Sequence, residues 1–490
     1  MDLSNYKSGN YQKGYDYEYF VPSKVNQTWI LSDPQVQHLL SEADRAIGAL
    51  SAYSEAVPDV DYFIRMHVSK EATQSSRIEG ARTNIEEVFI DEQDIDPERR
   101  DDRIEVINYI SATNTTIARL DEYPLCNRLL KEAHEILMQG VRGQQKLPGE
   151  FRTSQNWIGV SLKNAIFIPP HHSLVIDLMS DLEHFLNNDS SAPHLIKIAI
   201  AHYQFETIHP FLDGNGRLGR LMIALYLSNS KLLNKPALYL SDYFERNKTE
   251  YIDRMMAVRL SSNMKDWLVF FLHGVLETAL NSIQLLKDVV ALKSRLDTKF
   301  LPVFSLRRQE GAQALMRHLY QKPVVTVKSV VELLDIKSNT AGALIRDFEK
   351  HGVLTMLSSK KRNGSYGFNE YMELFKKQAE LEEDTREDTR EDTRGDTQED
   401  TRTYDEKEFQ AVDWKIQQLV SKFSGVLSRI EIQSLLDLKD AEHLRQGYIL
   451  PSLNSGYLEM TLPDKPSSKL QKYRLTAKGI SLQRYLIKKT

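Results

Sequence analysis

The residues best suited to chemistry are twelve consecutive ones, His209-Pro-Phe-Leu-Asp-Gly-Asn-Gly-Arg-Leu-Gly-Arg220. Pro210 disfavours the α region at His209, so a helix arriving from the N-terminal side should stop there and present an imidazole at its end. Gly214 and Gly216 permit a tight backbone turn whose N–H groups can converge on an anion. The apolar positions Leu218, Leu221, Met222 and Leu225 then begin a helix whose positive end adds to that attraction. Arg217 and Arg220 share one side of its first turn, Asp213 is a carboxylate suited to a divalent metal, and His209 is a base of near-neutral pKa. The sum is a polyphosphate site with a general base, a description that fits a hydrolase or a kinase equally well.

Gly214, Gly216 and Gly219 also satisfy G-x-G-x-x-G, the dinucleotide fingerprint, which requires a strand immediately before it. The alternation in Ile196-Lys-Ile-Ala-Ile200 would allow a strand, but the length of His194 to Ile208, the cap candidates Ser190 and Ser191, and Pro193 in the first turn favour a helix. The dinucleotide reading fails on that context.

The stretch from His209 to Arg220 resembles the signature of the Fic family (filamentation induced by cAMP), His-Pro-Phe-x-Asp/Glu-Gly-Asn-Gly-Arg-x-x-Arg, with every specified position filled. The resemblance implies a mainly α fold, an all-helical Fic domain with a small β flap, and transfer of AMP from ATP to a Ser, Thr or Tyr hydroxyl of a protein. It makes His209 the catalytic base and Asp213 the Mg²⁺ ligand, and it assigns nucleotide binding to Gly214, Asn215, Gly216, Arg217, Leu218, Gly219 and Arg220. Leu240 to Ile252 resembles the segment that closes the family's nucleotide pocket, where Asn247 would face the nucleotide. Tyr251 and Ile252 are further contacts or plain core packing, and Ile252 stands where the family often has a second tyrosine.

A second stretch, Ser75-Ser-Arg-Ile-Glu79-Gly80, ends an expected helix, with Gly80 a ready C-cap. Read alone, Ser76-x-x-Glu79 has the spacing of a capping box that would start a helix. It also resembles the Fic inhibitory motif, Ser/Thr-x-x-x-Glu-Gly/Asn, placed upstream of the signature as in the class whose inhibitory helix is N-terminal. The resemblance then has Glu79 pair with Arg220 where a γ-phosphate would otherwise sit, because a carboxylate and a phosphate compete for one guanidinium fork. The same carboxylate would suit removal of AMP by positioning a water.

A chain of 490 residues exceeds one core, so several domains must carry these residues. Residues 1–33 read as a Tyr-rich extended arm. An expected Fic domain at 34–300 contains helices from Asp33-Pro34 toward 53, over 59–79 (the inhibitory helix), 102–120, 127–139, 174–187 and 194–208, and from the signature to about 228. Among them Ala165-Ile-Phe-Ile168 alternates like a strand. Either it is a plain surface hairpin, or, as the family flap implies, Ile166, Phe167 and Ile168 accept an extended target segment by β-addition.

Residues 307–376 spell a winged helix with an Asn363-Gly364 hairpin turn, and Arg346, Lys350, Lys360, Lys361 and Arg362 offer a phosphate-contacting surface. Residues 377–404 hold Glu-Asp-Thr-Arg repeats too polar to fold, a charged linker. Residues 405–490 read as a second winged helix with Lys465, Lys469, Lys472, Arg474 and Lys478 near its end.

A net charge of −5 announces no global affinity for nucleic acid, so DNA enters only through the winged helices, with protein docking as the alternative. The single cysteine, Cys126, excludes an intrachain disulfide and reads as a buried thiol. With no long apolar run and no charged-then-apolar leader, neither a membrane span nor a secretory signal is expected, and the cytoplasm is the default. The expected partners are ATP with Mg²⁺ and a target protein, the chain itself included; a homodimer is compatible. The rival from another class is a DNA-binding regulator whose Fic domain only senses nucleotide.

Overall fold

Helix α1 (Pro34–Ala56) starts where Asp33 accepts hydrogen bonds from the N–H groups of Gln35 and Val36, with Pro34 in the first turn. In the computed structural model it is followed by α2 (Val60–Ile78), α3 (Arg100–Arg119), α4 (Asn127–Leu137), α5 (Val175–Asn187), α6 (His194–Ile208), α7 (Asn215–Asn229), α8 (Ser241–Arg246), α9 (Lys248–Ser261) and α10 (Met264–Arg295). The structure describes all residues except 1, 58, 91–94, 142–144, 160, 189–190, 358–363, 377–411, 424–426, 437–443, 461–471, 477, 479–481, 483–485 and 487–490. The expected repeat linker, Asn363 with Lys360, Lys361 and Arg362 of the wing, and Lys465 and Lys469 therefore lie outside the described residues.

Burial explains why α6 was ambiguous between helix and strand. Every residue from Leu195 to Ile208 is buried, so the helix has no polar face to impose a 3.6-residue period on the sequence. Ser191 does not cap it; its hydroxyl donates to the Asn188 carbonyl, and Pro193 takes the N-cap place. Helix α10 is long and apolar enough to be compared with a membrane span, which corrects the expectation of no long apolar run. Its apolar residues Trp267, Phe271, Val275 and Leu286 belong to the protein core, and Trp267 donates its indole N–H to the Ala199 carbonyl of α6.

Small sheets decorate this helical body. The N-terminal arm is a hairpin rather than a plain extended segment, with β1 (Gly9–Lys13) antiparallel to β2 (Glu18–Pro22). Strand β3 (Ile158–Gly159) pairs with β4 (Ala165–Phe167) across an irregular register, and the Phe20 N–H donates to the Ile168 carbonyl. Cys126 is half-buried at the N-cap of α4, not deep in the core.

Residues 306–376 fold as α11 (Leu306–Gln321), β5 (Val324–Thr326), α12 (Val327–Leu334), α13 (Ser338–Lys350), β6 (Thr355–Met356), β7 (Ser365–Gly367) and α14 (Asn369–Lys376), with sheet order β5-β7-β6. Three helices followed by two wing strands are what the sequence leads one to expect; β5 and α14 are additions to that pattern. Yet the segment is no separate body, because Met1–Arg386 forms one compact unit with a continuous hydrophobic core. Helix α2 is the seam: Tyr62 stacks on Tyr320 with ring centroids 6.1 Å apart, Phe63 meets Phe375 at 5.9 Å, and the Tyr371 hydroxyl donates to the Tyr62 carbonyl at 3.3 Å. Arg346 and Lys350 are exposed on α13, but Asp347 and Glu349 stand among them, so the described part of this helix is charge-balanced.

The second unit, Glu387–Thr490, has its own core around Leu419, Phe423, Ile432, Leu444, Tyr448, Leu458 and Tyr473. Its strand Lys472–Leu475 lies between Leu427–Ser428 and Leu458–Met460, antiparallel to both.

The shared core makes a prediction. Phe375→Ala should cost about 3 kcal/mol or more, the usual loss for a buried phenylalanine. Amide exchange should then accelerate in α2 as well as in α11 to α14; acceleration confined to α11 to α14 would mark an independent module.

Candidate active site

The loop that carries the imidazole is bent by its own sequence and then locked by groups far away in it. Helix α6 ends at His209, which adopts a left-handed conformation (φ 51°, ψ 60°). The helix stops where Pro210 was expected to stop it, with the imidazole at its end, and His209 leaves the α region for the left-handed one. For a residue other than glycine that conformation costs about 1–3 kcal/mol, so the surroundings must impose it.

Arg152 and Asn156 impose it. The Arg152 guanidinium donates to the carbonyls of His209 (2.9 Å), Pro170 (2.5 Å) and Ile208 (3.3 Å), while its backbone N–H reaches Pro210 O at 2.9 Å. The Asn156 amide donates to His209 O (3.1 Å) and Phe211 O (2.9 Å). His134 completes the brace, stacking on Phe211 at 3.9 Å. Its Nδ1 accepts the Gly149 N–H, so Nε2 must carry the proton donated to Asp213 O. Burial holds His134 down to about 4, consistent with a neutral ring.

Beyond the loop, Gly214 takes φ 74° as the N-cap of α7, where a side chain would be strained. Its N–H donates to Asp213 Oδ1 at 2.7 Å, so one N–H of the expected anion nest is already used. The Asn215 side chain is not turned to a ligand: its amide exchanges two 2.9 Å hydrogen bonds with the Phe211 backbone. Leu218 is fully buried in the core, which leaves only its backbone for nucleotide contact.

At the first turn of α7 the structure joins the two stretches singled out in the sequence. Arg220 Nε donates to Ser75 Oγ at 2.9 Å, and Nη2 donates to Ser75 O (2.9 Å) and Glu79 Oε1 (2.7 Å). A Cβ at position 216 would stand 2.2 Å from Glu79 Oε1, so the carboxylate rests on Gly216 at the N-terminus of α7. Glu79 closes α2 with Gly80 following at φ 102°; the motif ends a helix and starts none. Lys248 secures that end by donating to Ile78 O at 2.6 Å, a cation at a helix C-terminus.

Electrostatics follow from this packing. The crowded surroundings of the Glu79 carboxyl disfavour its charge although 42% of the side chain is exposed, but the charge and hydrogen bond of Arg220 outweigh this and hold it below the ordinary carboxylate range. Burial pushes Arg220 down, and Glu79, Tyr251 and Glu206 together push it up by more, so the net shift is upward. Arg217 is also buried, in an ion pair with Glu105 of α3 at 3.2 Å. The imidazole of His209 departs from the near-neutral expectation: burial, with Arg259 and Arg152 nearby, lowers it to about 4.

Asp213 pairs with Lys146 at 2.8 Å. Burial works to raise its carboxyl, and the hydrogen bond and charge of Lys146 outweigh that and hold it ionised. Among the described residues no group of three or more His, Cys, Asp or Glu could hold a metal. One ionised carboxylate beside an anion seat nevertheless suits Mg²⁺, which commonly takes one or two carboxylates and completes its shell with phosphate and water.

The remaining candidates lie on other elements, and of these Tyr251 comes within hydrogen-bonding and electrostatic reach of Arg220. Asn247 sits between α8 and α9 with its amide donating to Tyr243 O at 2.9 Å. The Tyr251 hydroxyl binds His202 Nε2 at 2.8 Å within an aromatic stack on Phe244, and Ile252 is 43% exposed at the surface. His202 Nδ1 meets Gly219 O at 3.0 Å, which makes Nδ1 the protonated nitrogen and ties α6 to α7. In the flap, Ile166 is 70% exposed, Phe167 is buried under the Arg259 guanidinium at 4.0 Å, and Ile168 lies between these extremes.

Arg152→Ala would leave the buried carbonyls of Pro170 and Ile208 short of a donor. At about 1–3 kcal/mol for each orphaned group, a loss of about 3 kcal/mol is expected by chemical denaturation. A neutral result would mean that the loop holds its left-handed turn unaided.

Residues 37–118 match the "Fic/DOC family N-terminal" model, 124–227 the "Fic/DOC family" model, and 415–476 the model for "Filamentation induced by cAMP protein Fic-like, C-terminal domain". The chain is 31% identical over 116 residues to the protein adenylyltransferase fic-1 of Caenorhabditis briggsae, covering 21% of this chain and 22% of that protein. It is 42% identical over 77 residues to the protein adenylyltransferase Fic of Drosophila virilis, covering 15% of each. The chain thus spans about a fifth or less of the length of these curated relatives. A crystal structure of a Fic family protein from Desulfovibrio desulfuricans aligns over 92% of this chain and 98% of that one, with 19% identity and a TM-score of 0.44. By the domains that it carries, from the N-terminal helices through the signature loop to the C-terminal unit, the chain belongs to the Fic/DOC family.

Proposed function

We propose that this chain is a protein adenylyltransferase held in an inhibited state by Glu79. The observation that carries the reading is the Glu79 carboxylate on Arg220 and over Gly216, an anion on the seat that the helix terminus and the arginine would give a terminal phosphate. The names of the curated relatives support adenylyl transfer as the chemistry and ATP as the donor.

In this mechanism the target hydroxyl gives its proton to His209, which is neutral because its pKa lies near 4. The hydroxyl oxygen bonds to the α-phosphorus, the bond from that phosphorus to the bridging oxygen breaks, and pyrophosphate leaves. The N–H groups at the start of α7 and the Arg217 and Arg220 side chains hold phosphate charge. Asp213 would hold Mg²⁺ after exchanging Lys146 for it, and the ion would neutralise phosphate charge when bound. The exposed edge at Ile166 would hold an extended target segment.

Release of the carboxylate is local in this reading. Helix α2 is buried on nearly every side, from Phe63 to Ser76, and it seams the two halves of the first unit. Moving the whole helix would open the core, whereas Glu79 stands at its last turn with 42% of its side chain exposed. A change of Glu79 rotamer and of the turn at Gly80 suffices to lift the carboxylate from Arg220 and Gly216, while Ser75 still holds the guanidinium.

With labelled ATP and Mg²⁺, Glu79→Gly should increase AMP labelling of the protein or its target at least tenfold over wild type, and His209→Ala in that background should abolish it. Equal labelling in all three, or label arriving only from γ-labelled ATP, would overturn the reading. The sign of the pH dependence is fixed by the base. His209 must be neutral to act, so labelling by Glu79→Gly should fall only as pH drops through about 4, not through the ordinary histidine value near 6.5.

A further inference from the structure

One buried carboxyl near the site has no part in the chemistry above. Glu206 lies on α6 one turn before His209, is 7% exposed, and its Oε1 is buried with no hydrogen-bond partner. It is pressed against the first turns of α7: a Cβ at position 219 would fall 2.3 Å from Glu206 Oε1, so the glycine beside Arg220 is what lets this carboxyl reach the helix. A buried acceptor left unpaired costs about 1–3 kcal/mol, and a buried unpaired charge costs more. Such a group persists where it is neutral or where a cation answers it.

The groups around it are few and named. Arg220 faces it from α7, Glu79 from the end of α2, and Arg259 from α9. Tyr251, also on α9, lies within electrostatic reach, with its hydroxyl engaged by His202. Arg259 is largely spoken for, donating to Glu206 O and Thr207 Oγ1 and stacking on Phe167. Arg220 is the cation whose partner can change, and its present partner is a second carboxylate.

We propose that Glu206 is a positioning residue: a second, proton-storing carboxyl for Arg220, which ionises as Glu79 leaves and holds the guanidinium in place through the change of partner. In the resting arrangement two carboxylates cannot both be ionised around one guanidinium without repulsion, so Glu206 keeps its proton. When Glu79 swings out, the Glu206 O–H bond breaks, the proton goes to solvent, and the carboxylate supplies the counter-charge that the buried Arg220 would otherwise lack. The reverse steps accompany the return of Glu79.

The direction of pH dependence follows. Burial first, and the Glu79 charge in addition, raise Glu206 to about 7, against the opposing pull of Arg220 and Arg259. Between the lower midpoint of the released arrangement and about 7, the inhibited arrangement therefore binds up to one proton more than the released one. Raising pH through about 7 shifts the balance toward release, by at most tenfold per pH unit for one proton.

The inference rests on the nucleotide-site reading of Arg220, and the test separates the two. The ¹³C-carboxyl signal of Glu206, assigned by its loss in Glu206→Gln, is titrated in the full chain of wild type and Glu79→Gly. The expected result is a midpoint near 7 in wild type and at least one unit lower in Glu79→Gly; equal midpoints overturn the proposal. Binding of a non-hydrolysable ATP analogue is then compared between wild type and Glu79→Gly across about pH 5.5 to 8.5, so that titration of the nucleotide cancels. Wild type should lag increasingly as pH falls below about 7, and in the Glu206→Gln background the lag should be independent of pH; an unchanged lag in that background overturns the proposal. Should Glu206→Gln fail to fold, the two titrations alone decide, with the signal assigned through the backbone. If no analogue binds to either protein while the midpoints differ as stated, the nucleotide reading falls and the proton coupling stands.

Discussion

The buried charge of Arg220 is the constraint to which the rest of the site answers. A guanidinium removed from water must be met by acceptors on every side that it presents. Here those acceptors come from the last turn of another helix: the Ser75 hydroxyl, the Ser75 carbonyl and the Glu79 carboxylate. That requirement fixes α2 against α7. It also puts the end of α2 on the anion seat, so the group that satisfies the arginine is the group that would have to yield to a phosphate.

Packing determines how such a yield can occur. Helix α2 lies between the helical body, where it packs on α3, α7 and α8, and residues 306–376, on which its Tyr62 and Phe63 pack. An element buried on nearly every side does not shift by itself without cost, because its displacement leaves cavities in two places. Mobility is therefore confined to the exposed last turn. The winged-helix segment in this unit is thus a structural support of α2, whatever else its surface contacts.

Legibility in the sequence divided along the same physical line. The signature loop, the end of α2 at Gly80 and the helices with a polar face were readable because local rules govern them: proline, glycine, caps and periodicity. Helix α6 was nearly misread because complete burial erased its period, and Ser191 was misassigned because a hydroxyl near a helix start can bond backward as well as forward. Asn215 was read as a ligand contact, and that its side chain clamps the Phe211 backbone was not legible. Arg152, Asn156, His134 and Glu206 drew no notice. Each acts through partners far away in sequence, and the one available hint, an arginine and an asparagine in a segment without periodicity before the signature, is too common to single out.

The sequence by itself determined which twelve residues form an anion site with a base and which helices carry them, because short-range stereochemistry and a long specific motif are written in consecutive residues; that Glu79 and Arg220 are a candidate pair came only through the resemblance to the Fic family. Only the tertiary structure decided that the pair forms at 2.7 Å, that His209 is held neutral rather than near-neutral, that the winged-helix segment shares the core of α2, and that Glu206 rests against Gly219. Those outcomes depend on burial and on distances between residues up to hundreds of positions apart. Desolvation and Coulomb energies are properties of the packed assembly, and no local pattern encodes them.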